Sequence, residues 1–308
     1  MSFSLRVKEE ITKQELQKLE MISLLSSFLR NNAVINENSI IINSENETIT
    51  QYIFECFNNL YDVIPSVSVK KTFNFKKHFS YTLDIKKKKD LILKDLSLIN
   101  DEGYFINVPK EYIIEDEDTK KSYIKGIFLS TGSISDPRSS NYHLEFLIDD
   151  YDYAIFLCDL LDEFYLNSKI IERKNGFIVY IKEAEKISDF LKIIKTYNAV
   201  LYFEDIRAYK ENRNNVNRLN NCEQANVEKT FNSAFNQLED INLIDKTIGL
   251  DILDDKLKEL ALNRKKYPEM SLLELSKKIS KDTNKKVSKS GINHRFRKIR
   301  EIASKMNK

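Results

Sequence analysis

The sequence repeats one pattern of helices and strands with an offset of 100 residues. Phe28 and Leu29 lie near the end of a run of apolar residues at helical spacing, and Phe128 and Leu129 end a second such run. After each run come polar residues and a short apolar strand, then a helix, two strands and a closing helix. Each half of this region is therefore predicted to fold as αββαββα, and the repetition indicates two equivalent structural units.

The two predicted repeats cover about residues 14–100 and 118–197. In the first repeat the predicted helices cover about 16–29, 49–60 and 87–99, and the strands 33–35, 39–42, 67–69 and 79–85. In the second repeat the predicted helices cover about 123–129, 155–164 and 187–194, and the strands 133–134, 142–148, 169–172 and 177–181. Asn175-Gly176 between the last two strands is a strong hairpin signal. We expect a pseudo-twofold arrangement with two helices side by side and the two sheets joined into a saddle.

The pattern of the repeats ends near residue 205, which predicts a boundary between structural domains. Residues 206–228 are rich in asparagine and poor in apolar residues, so they are predicted to be a polar linker. From residue 229 onwards, Phe231, Phe235 and Ile241 begin a region with helical spacing and no strand alternation. The expected fold class is therefore α+β for residues 1–205, followed by an all-α domain in residues 229–308.

Basic residues are concentrated at the C-terminal end of the chain. The whole chain has a formal net charge of +2, whereas residues 281–308 alone hold ten Lys and Arg residues against two acidic residues, a net +8. Residues 1–280 therefore carry a net −6. A basic end on a mildly acidic body points to a polyanionic partner at that end, with a merely solvated helix face as the alternative.

The C-terminal region also has the pattern of a helix-turn-helix. Ser271 and Glu274 have the spacing of a capping box ahead of an apolar helix, and a polar turn at 281–286 follows that helix. In the next helix, Ile292, Phe296 and Ile299 are spaced to pack inward and leave a polar outer surface. A recognition helix in the major groove needs such a surface, since Arg suits guanine and Asn suits adenine. The candidate DNA-binding residues of this region are Ser288, Lys289, Ser290, Asn293, His294, Arg295, Arg297, Lys298 and Arg300.

Two arginines of the predicted linker are further candidates for DNA binding. Arg213 and Arg218 are suited to phosphate contacts, and capping of helix ends between the domains is the equally weighted alternative. For the C-terminal helix itself, the alternatives are an ordinary solvent-facing helix and a partner that is RNA or an acidic protein. The spacing alone does not distinguish a DNA-binding helix from these alternatives, because many helical bundles end in a basic helix.

The sequence lacks the residue patterns that several kinds of enzymatic site require. Cys56, Cys158 and Cys222 are far apart without a Cys-x-x-Cys pair, so we expect small buried apolar residues rather than disulfides or zinc ligands. The three histidines, His78, His143 and His294, are scattered over unrelated segments. Only 6 glycines are present, and glycine-rich phosphate loops are absent. We therefore expect no cofactor, no metal and no small-molecule substrate.

The apolar residues are also not arranged for a membrane protein. No window approaches about 18 consecutive apolar residues, which argues against a transmembrane helix. The first residues, MSFSLRVKEE, lack the apolar core of a secretory signal. The expected location is the cytoplasm, with association to the nucleoid.

Taken together, several segments resemble the WhiA family. Residues 123–137, YIKGIFLSTGSISDP, look like the family's signature helix, and residues 217–230 resemble its interdomain stretch. Residues 270–275 and 288–299 resemble its helix-turn-helix, and the N-terminal SFSLRVKEE also fits. The resemblance implies a duplicated LAGLIDADG homing-endonuclease-like domain joined to a C-terminal helix-turn-helix similar to the promoter-reading region of sigma factors.

The family resemblance also implies a function. It implies a DNA-binding transcriptional regulator involved in cell division, chromosome segregation and, in sporulating lineages, sporulation. The implied partner is double-stranded DNA, and RNA polymerase or another regulator is a further candidate partner. The alternative function is a protein-interaction scaffold in cell division with weak, nonspecific DNA binding.

The same resemblance bears on nuclease activity. In active LAGLIDADG enzymes, a carboxylate at the end of each signature helix binds Mg²⁺ and positions the attacking water. The aligned positions here hold Asn31 and Thr131, and neither side chain is a carboxylate. Asp136 lies nearby but precedes Pro137, so it is interpreted as a turn former. We therefore predict that the chain does not cleave DNA.

Three lysine clusters in the first repeat are open to more than one interpretation. Lys70-Lys71, Lys76-Lys77 and the run from Lys86 to Lys89 would suit a DNA-binding groove. Solubilising lysines on an exposed sheet edge are the interpretation that we favour. A protein-binding platform is the third possibility for this surface.

Overall fold

The computed structural model describes the backbone of residues 2–74 and 76–306, and their side chains outside 72–78. The chain divides into two compact units, Met1–Lys210 and Glu211–Lys308. Within the described residues, no helix combines the length and the apolar character that crossing a membrane requires.

The first unit contains the two predicted repeats. The first repeat consists of α2 (Lys18–Asn32), β1 (Ala33–Ile35), β2 (Ile40–Ser44), α3 (Glu47–Tyr61), β3 (Ser66–Asn74), β4 (Lys76–Ile85) and α4 (Lys89–Asp95). A 3-10 turn at Glu111–Ile114 leads to the second repeat: α5 (Glu117–Ser130), β5 (Gly132–Ile134), β6 (Leu144–Ile148), α6 (Tyr151–Asp162), β7 (Lys169–Arg173), β8 (Gly176–Ile181) and α7 (Ala184–Ile193). The predicted order αββαββα is confirmed in both halves.

An additional helix, α1 (Phe3–Ile11), precedes the first repeat and was not among the predicted elements. The side chain of Ser2 caps it by accepting a hydrogen bond from the backbone N–H of Leu5 at 3.2 Å. Phe3, Val7 and Ile11 recur at every fourth position and are buried in the core of the first unit. This spacing was a readable helix signal in the sequence.

Each repeat forms its own four-stranded antiparallel sheet, with the equivalent orders β1-β2-β4-β3 and β5-β6-β8-β7. Successive side chains of each strand point to opposite faces of the sheet. Ile40 and Ile42 of β2 therefore face the core together with Leu83 and Ile85 of β4. The expectation of joined sheets was wrong, because no backbone hydrogen bonds link the two sheets among the described strands. Helix packing holds the repeats together instead.

The two repeats meet through α2 and α5, whose close approach depends on a glycine. A Cβ atom on Gly126 would lie 2.2 Å from the carbonyl oxygen of Leu24 and 2.0 Å from Oγ of Ser27. Any larger side chain would therefore collide with the backbone of α2. Around this contact, Phe28 and Leu29 of one helix and Phe128 of the other are buried in a single apolar core.

Helix α4 is shorter than predicted, ending at Asp95 rather than near residue 99. The backbone N–H of Leu98 donates to the carbonyl of Leu93 at 2.8 Å, and Ser97 has a φ of +52°, so the chain turns out of the helix here. Leu96 and Leu98, on either side of Ser97, are both fully buried. Their burial on a non-helical path explains why apolar spacing alone overestimated the helix.

The second unit is entirely helical in the part that the structure describes. Its elements are the C-terminal part of α8 (Tyr197–Thr247), a 3-10 turn at Leu250–Ile252, α9 (Asp255–Lys266), α10 (Leu272–Thr283) and α11 (Lys289–Met306). Ile241 and Ile244 of α8 join residues of the three later helices in a separate apolar core. Phe231 and Phe235 lie outside this core, with 62% and 53% of their surfaces exposed.

The predicted linker at 206–228 is helical and belongs to α8. Every side chain from residue 211 to residue 229 is exposed, so this stretch of helix has no apolar packing of its own. Few apolar residues are found here because no other described element covers the helix.

Candidate DNA interface

The first helix of the helix-turn-helix begins at the predicted capping box. The backbone N–H of Glu274 donates to Oγ of Ser271 at 3.3 Å, and the N–H of Ser271 donates to the Glu274 carboxylate at 2.8 Å. Hydrogen bonding from Ser271, chiefly from its backbone N–H, lowers the pKa of the Glu274 carboxyl. The capping box fixes where α10 starts.

The turn between α10 and α11 is held by side chains of α10. Asn284 ends α10 with a φ of +55°, in the left-handed region that asparagine tolerates. Oγ of Ser280 accepts from the backbone N–H of Val287 at 2.9 Å and donates to the carbonyl of Val287 at 3.3 Å. The path of the chain into α11 is thereby fixed by local hydrogen bonds.

Helix α11 presents one buried and one exposed face, as the spacing predicted. Ile292, Phe296 and Ile299 are at most 5% exposed and pack into the core of the second unit. Most of the predicted contact residues are exposed on this helix, namely Lys289, Ser290, Asn293, His294, Arg297, Lys298 and Arg300. Among them Lys289, Asn293, Arg297 and Arg300 follow helical spacing and form one continuous outer face.

Two predicted contact residues are placed differently. Arg295 is half-buried on another side of α11, and its Nη1 atom is buried without a hydrogen-bond partner in the described part of the chain. Ser288 precedes the helix, and its Oγ accepts from the backbone N–H of Gly291 at 3.1 Å. Ser288 therefore caps the start of α11 and stays exposed there.

A buried arginine, which the sequence did not single out, anchors the helices. Arg264 of α9 is 1% exposed and donates to the carbonyls of Tyr267, Pro268 and Met270, the last at 2.5 Å. Its guanidinium also lies 5.4 Å from the ring centre of Phe296 in α11. Burial lowers the pKa of Arg264. This side chain fixes the loop before α10 against the inner face of α11.

An acidic side chain of α8 lies near the basic outer face. Burial raises the pKa of Asp240, and the nearby Arg300 opposes this effect. The carboxylate of Asp240 therefore partly balances the charge of Arg300 within the second unit. Arg297 and Lys289 form no ion pair in the part of the chain that the structure describes. Arg297 and Lys289 carry the free positive charge of this face.

A second site lies in the first unit, where α2 and α5 end. A cavity of about 260 Å³ is lined by both Asn31 and Thr131, so the two aligned positions are brought together. Nδ2 of Asn31 donates to the carbonyl of Ser27 at 2.8 Å and to the hydroxyl of Tyr153 at 3.2 Å. Oγ1 of Thr131 donates to the carbonyl of Ile127 at 3.4 Å. Both side chains are neutral and bonded within the protein.

Two charged side chains around this cavity, Arg30 and Asp150, are engaged in hydrogen bonds, whereas the carboxylate of Asp149 also lines the cavity and is exposed. Arg30 donates to the carbonyls of Ser97 at 2.6 Å and Asn107 at 3.0 Å. Asp150 caps α6 by accepting from the backbone N–H of Tyr153 at 2.9 Å, and it also accepts from the Asn107 amide. In the described residues, no group of three or more His, Cys, Asp or Glu side chains is placed to hold a metal ion.

Asp136 lies in a turn, as predicted. Its carboxylate accepts from the backbone N–H of Arg138 at 2.9 Å and forms an ion pair with the guanidinium of Arg138 at 2.7 Å. The hydrogen bonds from Arg138 hold the pKa of Asp136 below its usual value. This carboxylate serves the turn and does not line the cavity at Asn31 and Thr131.

The lysine clusters of the first repeat occupy several environments. Lys70 lies on β3, which is an edge strand of its sheet. Lys86 pairs with Asp84 at 3.3 Å, and Lys88 and Lys89 donate to backbone carbonyls. The side chains of Lys76, Lys77 and His78 lie outside the described residues.

The cysteines and the other histidines fall in unrelated places. Cys56 is buried, as predicted, and burial raises its pKa to about 12. The prediction of burial was wrong for Cys222, because it lies on the exposed part of α8. His143 contacts the Glu145 carboxylate at 3.0 Å, and His294 is exposed on α11.

Family models match both units of the chain in the expected order. Residues 14–99 match the WhiA N-terminal LAGLIDADG-like domain, and residues 120–213 match the WhiA LAGLIDADG-like domain. Residues 216–303 match the WhiA C-terminal HTH domain. The fold is therefore two LAGLIDADG-like repeats with a C-terminal helix-turn-helix domain.

Relatives match over almost the whole length of the chain. The probable cell division protein WhiA from Bacillus mycoides (strain KBAB4) is 43% identical over 99% of this chain and 97% of its own length. The protein of the same name from Bacillus cereus (strain G9842) has the same identity and coverage. The crystal structure of full-length WhiA from Thermatoga maritima is 26% identical, covers 99% of both chains and has a TM-score of 0.60. The chain belongs to the WhiA family.

Proposed function

We propose that this chain is a sequence-specific DNA-binding transcriptional regulator involved in cell division and chromosome segregation. The observation that carries the proposal is the exposed basic and amide face of α11, held in place by the helix-turn-helix core. The cell-division role is proposed from the names of the relatives. Chromosome segregation and, in sporulating lineages, sporulation are proposed from the family resemblance. DNA binding implies a location at the nucleoid.

In the proposed interface, different side chains have different tasks. Asn293 and Arg297 are suited to adenine and guanine edges, and both are exposed near the middle of the outer face. Lysines and the remaining arginines neutralise phosphates, as do Arg213 and Arg218 on the exposed part of α8. We assign DNA reading to residues 229–308, a supporting body to residues 1–205, and the connection to residues 206–228.

The proposed regulator is not a nuclease. The two positions that would hold Mg²⁺ in an active LAGLIDADG enzyme are the neutral Asn31 and Thr131, which lack the negative oxygens that attract the ion. We expect bound duplex DNA to stay intact with Mg²⁺. Cleavage that Asp136→Ala abolishes would contradict this proposal.

Selection of bound sequences from a random duplex library tests the proposed function directly. The wild-type chain is expected to enrich one motif at physiological salt. Arg297→Ala or Asn293→Ala should cost about 1–3 kcal/mol of binding free energy at that motif and relax one base preference. Lys298→Ala is the matched control, because loss of a phosphate contact weakens all sequences alike. If the wild-type chain enriches no motif, the proposal is wrong.

A protein-interaction role of the first unit is a second candidate. Leu147 and Ile171 are 50% and 42% exposed, and both lie in a row with Ile178 across the uncovered face of the second sheet. This apolar face suits a protein partner such as RNA polymerase or another regulator. Crosslinking in cells should lose a specific partner when Leu147 is changed to Lys, while DNA affinity stays unchanged.

A further inference from the structure

The exposed stretch of α8 carries a continuous face of amide side chains. Residues 211–229 contain seven asparagines, and all of these side chains are exposed. Arg213, Asn217, Asn220, Asn221 and Gln224 recur at three- and four-residue intervals, so they lie on one side of the helix. We call this set the amide face.

The amide face carries no negative charge between Arg213 and Gln224, and the carboxylate of Glu228 lies on the same side one turn beyond Gln224. Its one cation is Arg213, and the nearby carboxylates of Glu211 and Glu223 project from other sides of the helix. Gln224 lies at the C-terminal end of the face, and its Nε2 donates to the Glu228 carboxylate at 3.2 Å. Among the described residues, the other four side chains of the amide face have no side-chain partner. The other amide and guanidinium groups are free to bind a ligand.

The local sequence gives this helix little stability by itself. Asparagine is among the weaker helix formers, and the stretch gains no apolar burial because every side chain is exposed. In proteins most of the stability of a helix comes from the packing of an apolar face, which this stretch lacks. A partner that contacts one face would therefore stabilise the helical state.

From this we infer that the amide face of α8 is a second DNA-contacting element, which binds in a groove of duplex DNA. This inference rests on the proposed function and adds residues to it. Amide side chains pair with adenine edges, and Arg213 suits guanine or phosphate. The absence of carboxylates between Arg213 and Gln224 favours a polyanion over this part of the helix. From Arg213 to Gln224 the face extends about 17 Å along the helix axis, which corresponds to about five base pairs.

Two triple variants of the full chain separate this role from a structural one. The test variant combines Asn217→Ala, Asn220→Ala and Asn221→Ala. The matched control combines Asn212→Ala, Asn215→Ala and Asn226→Ala, which remove three exposed amides from the opposite side of the same stretch. Alanine is the best helix former, so neither variant should lose the helix, and circular dichroism checks this.

The readout is the affinity for a duplex that carries the motif selected by the wild-type chain, measured by fluorescence anisotropy at one salt concentration. The test variant should bind at least about 10-fold more weakly, and the control within about 2-fold of the wild type. In hydrogen exchange, DNA should protect the backbone of 213–224 in the wild type and the control, and less in the test variant.

Three outcomes would overturn the inference. Equal affinities of both triple variants would show that the amide face does not contact DNA. A change in the sedimentation of the test variant without a change in DNA affinity would assign the face to contact between two copies of the chain. If Arg297→Ala weakens binding and the test variant does not, the proposed function stands and this inference alone fails.

Discussion

Changing Gly126 to Ala tests whether the contact between α2 and α5 holds the first unit together. The added methyl group would lie 2.2 Å from the Leu24 carbonyl oxygen and 2.0 Å from Oγ of Ser27, whereas ordinary contacts begin at 3.4 Å. The Ser27 hydroxyl can rotate away. The Leu24 carbonyl belongs to the backbone of α2, so the helix itself must shift by about 1 Å in a closely packed core.

The expected size of the effect follows from two opposing contributions. Replacing glycine by alanine inside a helix stabilises it by about 1 kcal/mol. Forcing an extra methyl group into a packed core costs about 1–3 kcal/mol, and a backbone obstacle places the cost near the upper end. We therefore expect Gly126→Ala to lower the free energy of unfolding of the first unit by about 2 kcal/mol.

Urea denaturation followed by far-ultraviolet circular dichroism and tyrosine fluorescence measures this change, since the chain contains no tryptophan. Hydrogen exchange of α2 and α5 peptides then localises it to the first unit. Gly291→Ala is the matched control, because its Cβ would meet only Oγ of Ser288 at 3.3 Å. This control should be neutral or slightly stabilising. If the two variants are equally stable, the reasoning from the α2–α5 contact is wrong.

Three further changes test the packing of each unit. Arg264→Leu should lower the stability of the second unit by about 1–3 kcal/mol, because it leaves partly buried carbonyls such as that of Met270 without their donor. An unchanged midpoint in urea denaturation would contradict this. Lys125 is 1% exposed, and burial followed by the nearby Lys195 lowers its pKa from 10.5 to about 8. Lys125→Met should therefore stabilise the first unit by roughly 3 kcal/mol at pH 7. This gain should shrink as the pH rises from 8 to 10.5, because Lys125 then loses its proton in the folded and later in the unfolded state. A gain that does not depend on pH would refute a lowered pKa of Lys125. Ser271→Ala removes the capping box of α10 and should lower the free energy of unfolding by about 1 kcal/mol, measured by thermal unfolding. Ser304→Ala changes an exposed serine and should have little effect. Equal effects of the two changes would contradict a stabilising role of the cap.

Much of the fold was predictable because its signals are local. Apolar spacing placed helices and strands in both repeats, and the Ser271–Glu274 pair marked the start of α10. The offset of 100 residues also aligned Asn31 with Thr131, and the structure places both on one cavity. The missed helix α1 carried the same kind of signal, in Phe3, Val7 and Ile11.

The candidate DNA interface was predicted in part. The buried stripe of α11 follows from helical period alone, so the exposure of Asn293 and Arg297 was predictable. The half-buried position of Arg295 and the anchoring role of Arg264 were not, because both depend on which helix packs against which. A charged residue in the sequence does not show whether its side chain is buried.

The sequence by itself determined the order of elements, the repeat and the basic face of α11, since hydrophobic period and charge pattern are properties of neighbouring residues. Tertiary structure decided that the sheets remain separate, that Gly126 brings α2 and α5 into contact, and that 211–229 is an exposed helix. These outcomes depend on contacts between residues far apart in the chain, or on the absence of such contacts. Local spacing cannot encode them, because the same apolar or polar run packs differently according to what covers it.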